Sequence, residues 1–283
     1  MPLNRISNVI SSDTLRQCTR LLTPFNGSFH KAERMSVAVV YLLAALAGLA
    51  LGGWVTVLSH YLPVYLRRAW RGRPARASLP PRARRRAWPW IGWYLAARDG
   101  TGRRGAAWLA PWPELLLALL FMACVWRFGA GWLAVCAMVY CLALLLMAWV
   151  DSRSCILPDI LTLPLLWAGL LVNLDGALTP LPQAVLGAVF GYGLLWVFYH
   201  VFKRCTGREG MGYGDFKLTA ALGAWLGVGV LAPLLLLAAL AGVVVGVAAR
   251  LRGGPDRPQP FAPFLAMAGV AALLWPPNWD GLF

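Results

Sequence analysis

Two aspartates stand where an apolar chain can least easily hold them. Asp151 closes the uncharged run 128–150, and Asp215 ends the stretch Gly212-Tyr213-Gly214-Asp215 just before the uncharged run 218–249. An ionisable residue at the edge of a membrane-length run is costly, which makes it a candidate for function. Two carboxylates that face each other across a low-dielectric cleft do not both ionise readily. One is pushed to hold a proton, so the pair offers an acid and a base at the same pH. Such a pair suits peptide hydrolysis: the charged aspartate takes a proton from water and the protonated one donates to the carbonyl oxygen. Neither a metal nor a covalent intermediate is required. Gly210, Gly212 and Gly214 alternate before Asp215. Glycine tolerates strained backbone angles and the close approach of another chain, so a substrate strand has room along this turn. The competing reading is that the glycines only let helices pack. Asp159 follows Pro158 at the head of another apolar run. That is a favourable place for negative charge at a helix N-terminus, so Asp159 reads as supporting rather than catalytic.

The elements that must carry these residues are membrane helices. The chain has 283 residues, 59% of them hydrophobic and 13% charged, with a mean hydropathy of +0.63. Soluble domains carry about 25% charged residues. Segments 36–66, 128–150, 176–202 and 218–249 contain no Asp, Glu, Lys or Arg. A bilayer core needs about 20 such residues per helix, and uniform runs of this length are rare outside lipid. The expected class is therefore all-α, a polytopic membrane protein of about eight transmembrane helices with one large basic cytoplasmic loop.

The net charge of +15 is concentrated, with twelve arginines and one acid between 67 and 104. A nucleic acid partner is the tempting reading of such a run. A short basic loop between two membrane spans explains it better, because basic loops mark the cytoplasmic side. The loop also suits contact with anionic lipid headgroups. With 67–110 inside, spans are expected near 38–62 and 110–127, then from a turn near Gly129–Gly131 back to Val150, and near 157–174 and 183–202. The run 218–249 is too long for one span without strong tilt. Gly227, Gly229 and Pro233 offer a break into two, and only then do Arg250, Arg252 and Arg257 fall on the cytoplasmic side. A last span is expected near 260–276. Both aspartates then lie at the cytoplasmic face, and Arg127 is the basic residue out of place. Residues 1–34 are polar and mixed, and read as a tail or as sequence upstream of a true start at Met35. The six cysteines include no C-x-x-C pair and define neither a disulfide framework nor a metal site.

Two stretches, DSRSCILPDILTLPLLWAGLLVN from Asp151 and FKRCTGREGMGYGDFKLTAALGAWLG from Phe202, closely resemble the signature regions of the bacterial type IV prepilin peptidases. These are inner-membrane aspartic proteases of the GxGD class, which also includes presenilin. The likeness runs from about 113 to 272. PFAPFLAMAG near the end resembles the family's last helix, and GLALGGWVTVLSHYLP its first span more loosely. The resemblance implies that Asp151 and Asp215 are the catalytic pair. It groups Gly210, Gly212, Tyr213, Gly214 and Lys217 into an active-site loop, with Pro158 and Asp159 in support. It implies prepilin or pseudopilin substrates, cut at the cytoplasmic face of the inner membrane after the glycine that ends a basic leader.

Family members commonly also methylate the new N-terminus with S-adenosylmethionine. Typical ones carry two C-x-x-C pairs in the first cytoplasmic loop, and residues 67–110 contain no cysteine. Zinc is therefore not expected, and methylation is left open. Glu114 matches a family glutamate and stands either for the methylation site or for an interfacial residue. The resemblance thus divides the chain into the tail 1–34, a first span at 35–66, a degenerate methylation region at 67–110 and a protease core at 111–283. A proton-coupled transporter using the paired aspartates is the alternative from another class, since intramembrane acids also mark ion pathways. Transporters place such groups near the midplane, however, whereas these lie at the membrane edge.

Overall fold

The computed structural model describes residues 36–59, 62–63, 65, 112–207, 211–252 and 259–275. The tail 1–34, the basic loop 67–110 and Gly210 lie outside the described residues. The chain forms two compact units, Met1–Ala44 and Ala45–Phe283. The second holds the site and is the one described below.

Every long element among the described residues is a helix. In chain order they are α1 (Ser36–Ser59), α2 (Trp112–Phe128), α3 (Trp132–Ser154), α4 (Asp159–Val172), α5 (Leu181–Thr206), α6 (Tyr213–Leu226), α7 (Leu231–Leu251) and α8 (Ala262–Leu274). The run 218–249 is indeed broken. Gly227 adopts φ +83°, which suits a residue without Cβ, and a 3₁₀ turn over Val228–Val230 leads into α7. Pro233 sits in the first turns of α7, where its missing N–H costs nothing.

Four segments are long and apolar enough to cross a membrane: Ser36–Ser59, Trp132–Ser154, Leu181–Thr206 and Val228–Leu251. The other helices of the bundle are shorter. Helices α4 and α6 have 14 residues each and α8 has 13. At 1.5 Å per residue these reach about 20 Å, short of a hydrocarbon core of about 30 Å. Tyr199 of α5 packs against Tyr213 at the start of α6. The rest of α5, to Thr206, therefore overhangs α6 by about 10 Å.

Helix α6 is the centre. Asp215, Phe216 and every residue from Leu218 to Trp225 are buried. Lipid tails are as apolar as leucine, so close packing rather than water exclusion must hold such helices together. The seam with α5 shows how. A Cβ at Gly187 or Gly223 would run into the backbone of the other residue, and one at Gly191 would sit 2.7 Å from the Thr219 carbonyl oxygen. Small residues four apart on both helices thus let the backbones touch. Gly48 and Gly52 of α1 do the same against Ala118 and Glu114 of α2. Helix α6 makes little direct backbone contact with α3. Instead α4 and α8 pack against α6 and bridge it to α3. Gly269 of α8 lies against Leu222 of α6 and against Tyr140 and Leu144 of α3. Large apolar side chains on α5 and α7, such as Phe198, Leu240 and Val244, point outward as a lipid-facing surface requires.

Candidate active site

Asp151 comes from the last turn of α3. Ser152 and Ser154 turn their hydroxyls back onto the carbonyls of Ala148 and Val150, at 2.7 and 2.8 Å. Cys155 ends the helix in the left-handed region at φ 49°, donating its N–H to the Asp151 carbonyl. That conformation usually falls to glycine, since a Cβ there costs about 1–2 kcal/mol. The sharp exit leaves room for three residues before Pro158, whose carbonyl accepts the first N–H bonds of α4. Pro158 is thus the N-cap of α4 and Asp159 lies in its first turn, the placement its sequence context suggested.

Asp215 comes from the first turn of α6. The helix starts five residues earlier than the span expected from 218, because Gly212 is its N-cap. Asp215 is therefore a helical residue rather than the end of a turn. Its carboxylate hydrogen-bonds the backbone of Gly212, as an acid at the third helical position does. Gly214 is helical too, and a Cβ there would lie 2.6 Å from the Leu157 Cβ. That close approach draws the α3–α4 connection against the helix of Asp215, so packing against Leu157 accounts for this glycine. Gly212 has open space on its Cβ side apart from the Asp215 carboxylate, 3.8 Å away.

The two carboxylates stand near enough for one charge to act on the other. Asp151 is 4% exposed and Asp215 6%, and the charge of Asp151 acts on Asp215 directly. Their partners differ. Asp151 Oδ2 accepts the backbone N–H of Ala262 at 3.1 Å. Ala262 is the first residue of α8, so a carboxylate 111 positions away satisfies an N–H that no helix can satisfy itself. Oδ1 of Asp215 is buried with no hydrogen-bond partner. Its other oxygen lies toward the Gly212 backbone. Thr219 donates its hydroxyl to the Asp215 carbonyl at 2.8 Å.

The remaining site residues flank this centre. Tyr213 is half exposed and packs on Tyr199 and Phe216, with centroids 5.3 and 5.4 Å away. Lys217 Nζ donates to both carboxylate oxygens of Asp159, each at 2.7 Å. Glu114 belongs to the α1–α2 contact, where Gly52 meets it, and its Oε2 is buried without a partner. Ala262 was missed by sequence reasoning. Its signal is Pro260 and Pro263, which mark a helix start, but nothing local names Asp151 as the partner. Asn173 was missed as well; it sits at the opposite end of α4. Cys124 and Cys141 place their sulfurs 3.8 Å apart in the α2–α3 interface, a contact their spacing did not suggest.

A helical membrane bundle that brings two buried carboxylates together at one end has the arrangement an intramembrane aspartic hydrolase needs. Comparisons with known proteins agree. A model of the type IV leader peptidase family matches residues 138–247. A prepilin leader peptidase/N-methyltransferase of Pseudomonas aeruginosa is 38% identical over 260 residues, covering 83% of this chain and 90% of that protein. One from Burkholderia pseudomallei is 41% identical over 260 residues, covering 82% and 84%. One from Xanthomonas campestris is 47% identical, but over 167 residues that make up 58% of each chain. The chain thus spans little more than half the length of some of the curated relatives it matches. No solved structure matches it. The chain belongs to the type IV leader peptidase family. Neither the family nor the position of the acids at helix ends favours a transporter.

Proposed function

We propose that the protein is a membrane aspartic endopeptidase that removes the basic leader of prepilins or pseudopilins, cutting after a glycine at the cytoplasmic face of a bacterial inner membrane. The observation that carries this is that Asp151 and Asp215, both buried and from distant segments, stand near enough for one charge to act on the other. A water between the two carboxyls loses its proton to the charged aspartate and attacks the peptide carbonyl. The protonated aspartate donates to the carbonyl oxygen, giving a gem-diol. Its collapse breaks the C–N bond as the leaving amine takes up a proton. Burial of both carboxyls favours this chemistry, because a low dielectric strengthens each charge interaction.

Charge placement supports the orientation. Arg153, Lys203, Arg204, Arg250 and Arg252 lie at the aspartate ends of α3, α5 and α7, and Arg127 at the other end of α2. By the positive-inside rule the aspartate end is cytoplasmic. Incubating the purified protein in lipid with a prepilin, then sequencing the product N-terminus by mass spectrometry, tests the reading. Cleavage after the leader glycine is expected, and an intact substrate would overturn it.

The relatives' names also include N-methyltransferase. Glu114, with a buried carboxylate oxygen that has no partner, suits a cationic group such as the sulfonium of S-adenosylmethionine. The loop 67–110, to which the resemblance assigns methylation, lies outside the described residues. Labelled S-adenosylmethionine in the same incubation shows whether the new N-terminus gains a methyl group.

A further inference from the structure

We infer that Lys217 and Asp159 are a positioning pair that sets the spacing of the two catalytic aspartates. The inference rests on the catalytic reading of Asp151 and Asp215. Those residues sit on α3 and α6, whose backbones make little direct contact, so their distance is set by what lies between. One bridge is α8, which holds Asp151 through the Ala262 N–H and packs on α6. The other is α4. It is tied to α3 by the short connection from Cys155 to Pro158, and Asp159 stands at its head. From there both Asp159 oxygens accept from Lys217 Nζ, two residues after Asp215 and on the opposite side of the first turns of α6. The links run from Asp151 to Cys155, along the chain to Asp159, across to Lys217 and along α6 to Asp215. Leu157 against Gly214 braces these links.

The pair is not built for stability. Its side chains are 30% and 57% exposed, and ion pairs of that kind contribute little to folding. Two-point geometry is what it supplies: a lysine held by both carboxylate oxygens fixes α6 along its axis relative to α4. A shift of about 1 Å in a catalytic group costs on the order of 10²-fold in rate. Lysine so near a helix N-terminus is unfavourable against the macrodipole, which Asp159 offsets. Lys217 touches no reacting atom in this scheme and acts through Asp215.

The test is a double-mutant cycle on kcat and KM, using the full-length protein in lipid nanodiscs and a synthetic peptide with a basic leader, a glycine and an apolar mature segment. Asp159→Asn and Lys217→Met should each lower kcat about 10- to 100-fold and leave KM within about twofold. The double variant should be no slower than the slower single one, because both remove the same contact. Asp159→Glu and Lys217→Arg, which keep the pair, should retain kcat within about fivefold. Rates are taken per folded molecule, and thermal midpoints should move by less than about 3 °C. Additive losses, single variants as fast as the parent, or losses that vanish once unfolded protein is discounted would each overturn the inference. If Asp159→Asn does not accumulate, Lys217→Met against Lys217→Arg decides. Asp215→Asn run alongside separates the two claims. If it is inactive while the pair variants are fast, only the positioning role falls. If it cleaves normally, the catalytic reading falls.

Discussion

The two ends of α6 treat buried polar groups in opposite ways. At its start, Asp215 keeps one carboxylate oxygen buried and unpartnered. At its end, Asn173 leaves nothing unpaired. Its amide donates to the carbonyls of Ala224 and Trp225 at 2.9 and 3.0 Å, and its oxygen accepts the N–H groups of Leu178 and Thr179 at 3.0 and 3.1 Å. All four capacities of the side chain are used. Trp225 adds to that end, donating its indole N–H to the Leu165 carbonyl at 2.8 Å across the face left open by Gly169. One end is locked by side-chain hydrogen bonds and the other carries a buried acid. In a membrane an unpaired polar group is expensive, so saturation of the Asn173 side chain secures that end of the helix.

That contrast can be broken at either end. The largest effect is expected from Asp151→Asn or Asp215→Asn, which should lower leader cleavage by about 10³-fold or more while the protein remains inserted and folded. Full cleavage by either variant would remove the chemical end of the contrast. Next, Gly223→Leu forces side-chain atoms into the Gly187 backbone. Neither backbone has room to yield, so the loss of stability should exceed about 3 kcal/mol and show as lost monodisperse protein in detergent size exclusion. Asn173→Ala strips four hydrogen bonds from the locked end. Thermal unfolding should report a loss of about 3 kcal/mol, while cleavage per folded molecule stays near that of the parent. A large fall in kcat instead would show that the two ends are coupled. The smallest effect is expected from Trp225→Phe, which removes one hydrogen bond and keeps most of the packing, for about 1 kcal/mol.

Helix existence was legible because apolar runs between charge clusters have one reading in lipid. The break in 218–249 was legible because Gly227 and the sidedness of Arg250 and Arg252 agreed. Other features were hidden in proportion to their distance along the chain. Gly214 reads locally as part of a turn, yet it is a helical contact with Leu157. Lys217 and Asp159 were each singled out, but a residue 58 positions away is not a neighbour that spacing can name. Asn173 gave no signal, since an asparagine before a turn is ordinary until the helix end it secures is known.

The amino-acid sequence determined by itself which segments enter the membrane, which end of each is basic and where two acids stand at the edge of apolar runs. These depend on local composition and on the cost of charge in lipid, and both are written residue by residue. Only the tertiary structure decided that Asp151 stands near Asp215, that Ala262 holds one of them and that α4 and α8 pack between their helices. Those contacts follow from which helices carry glycine where backbones cross, and packing of that kind is a property of pairs of segments rather than of any one of them.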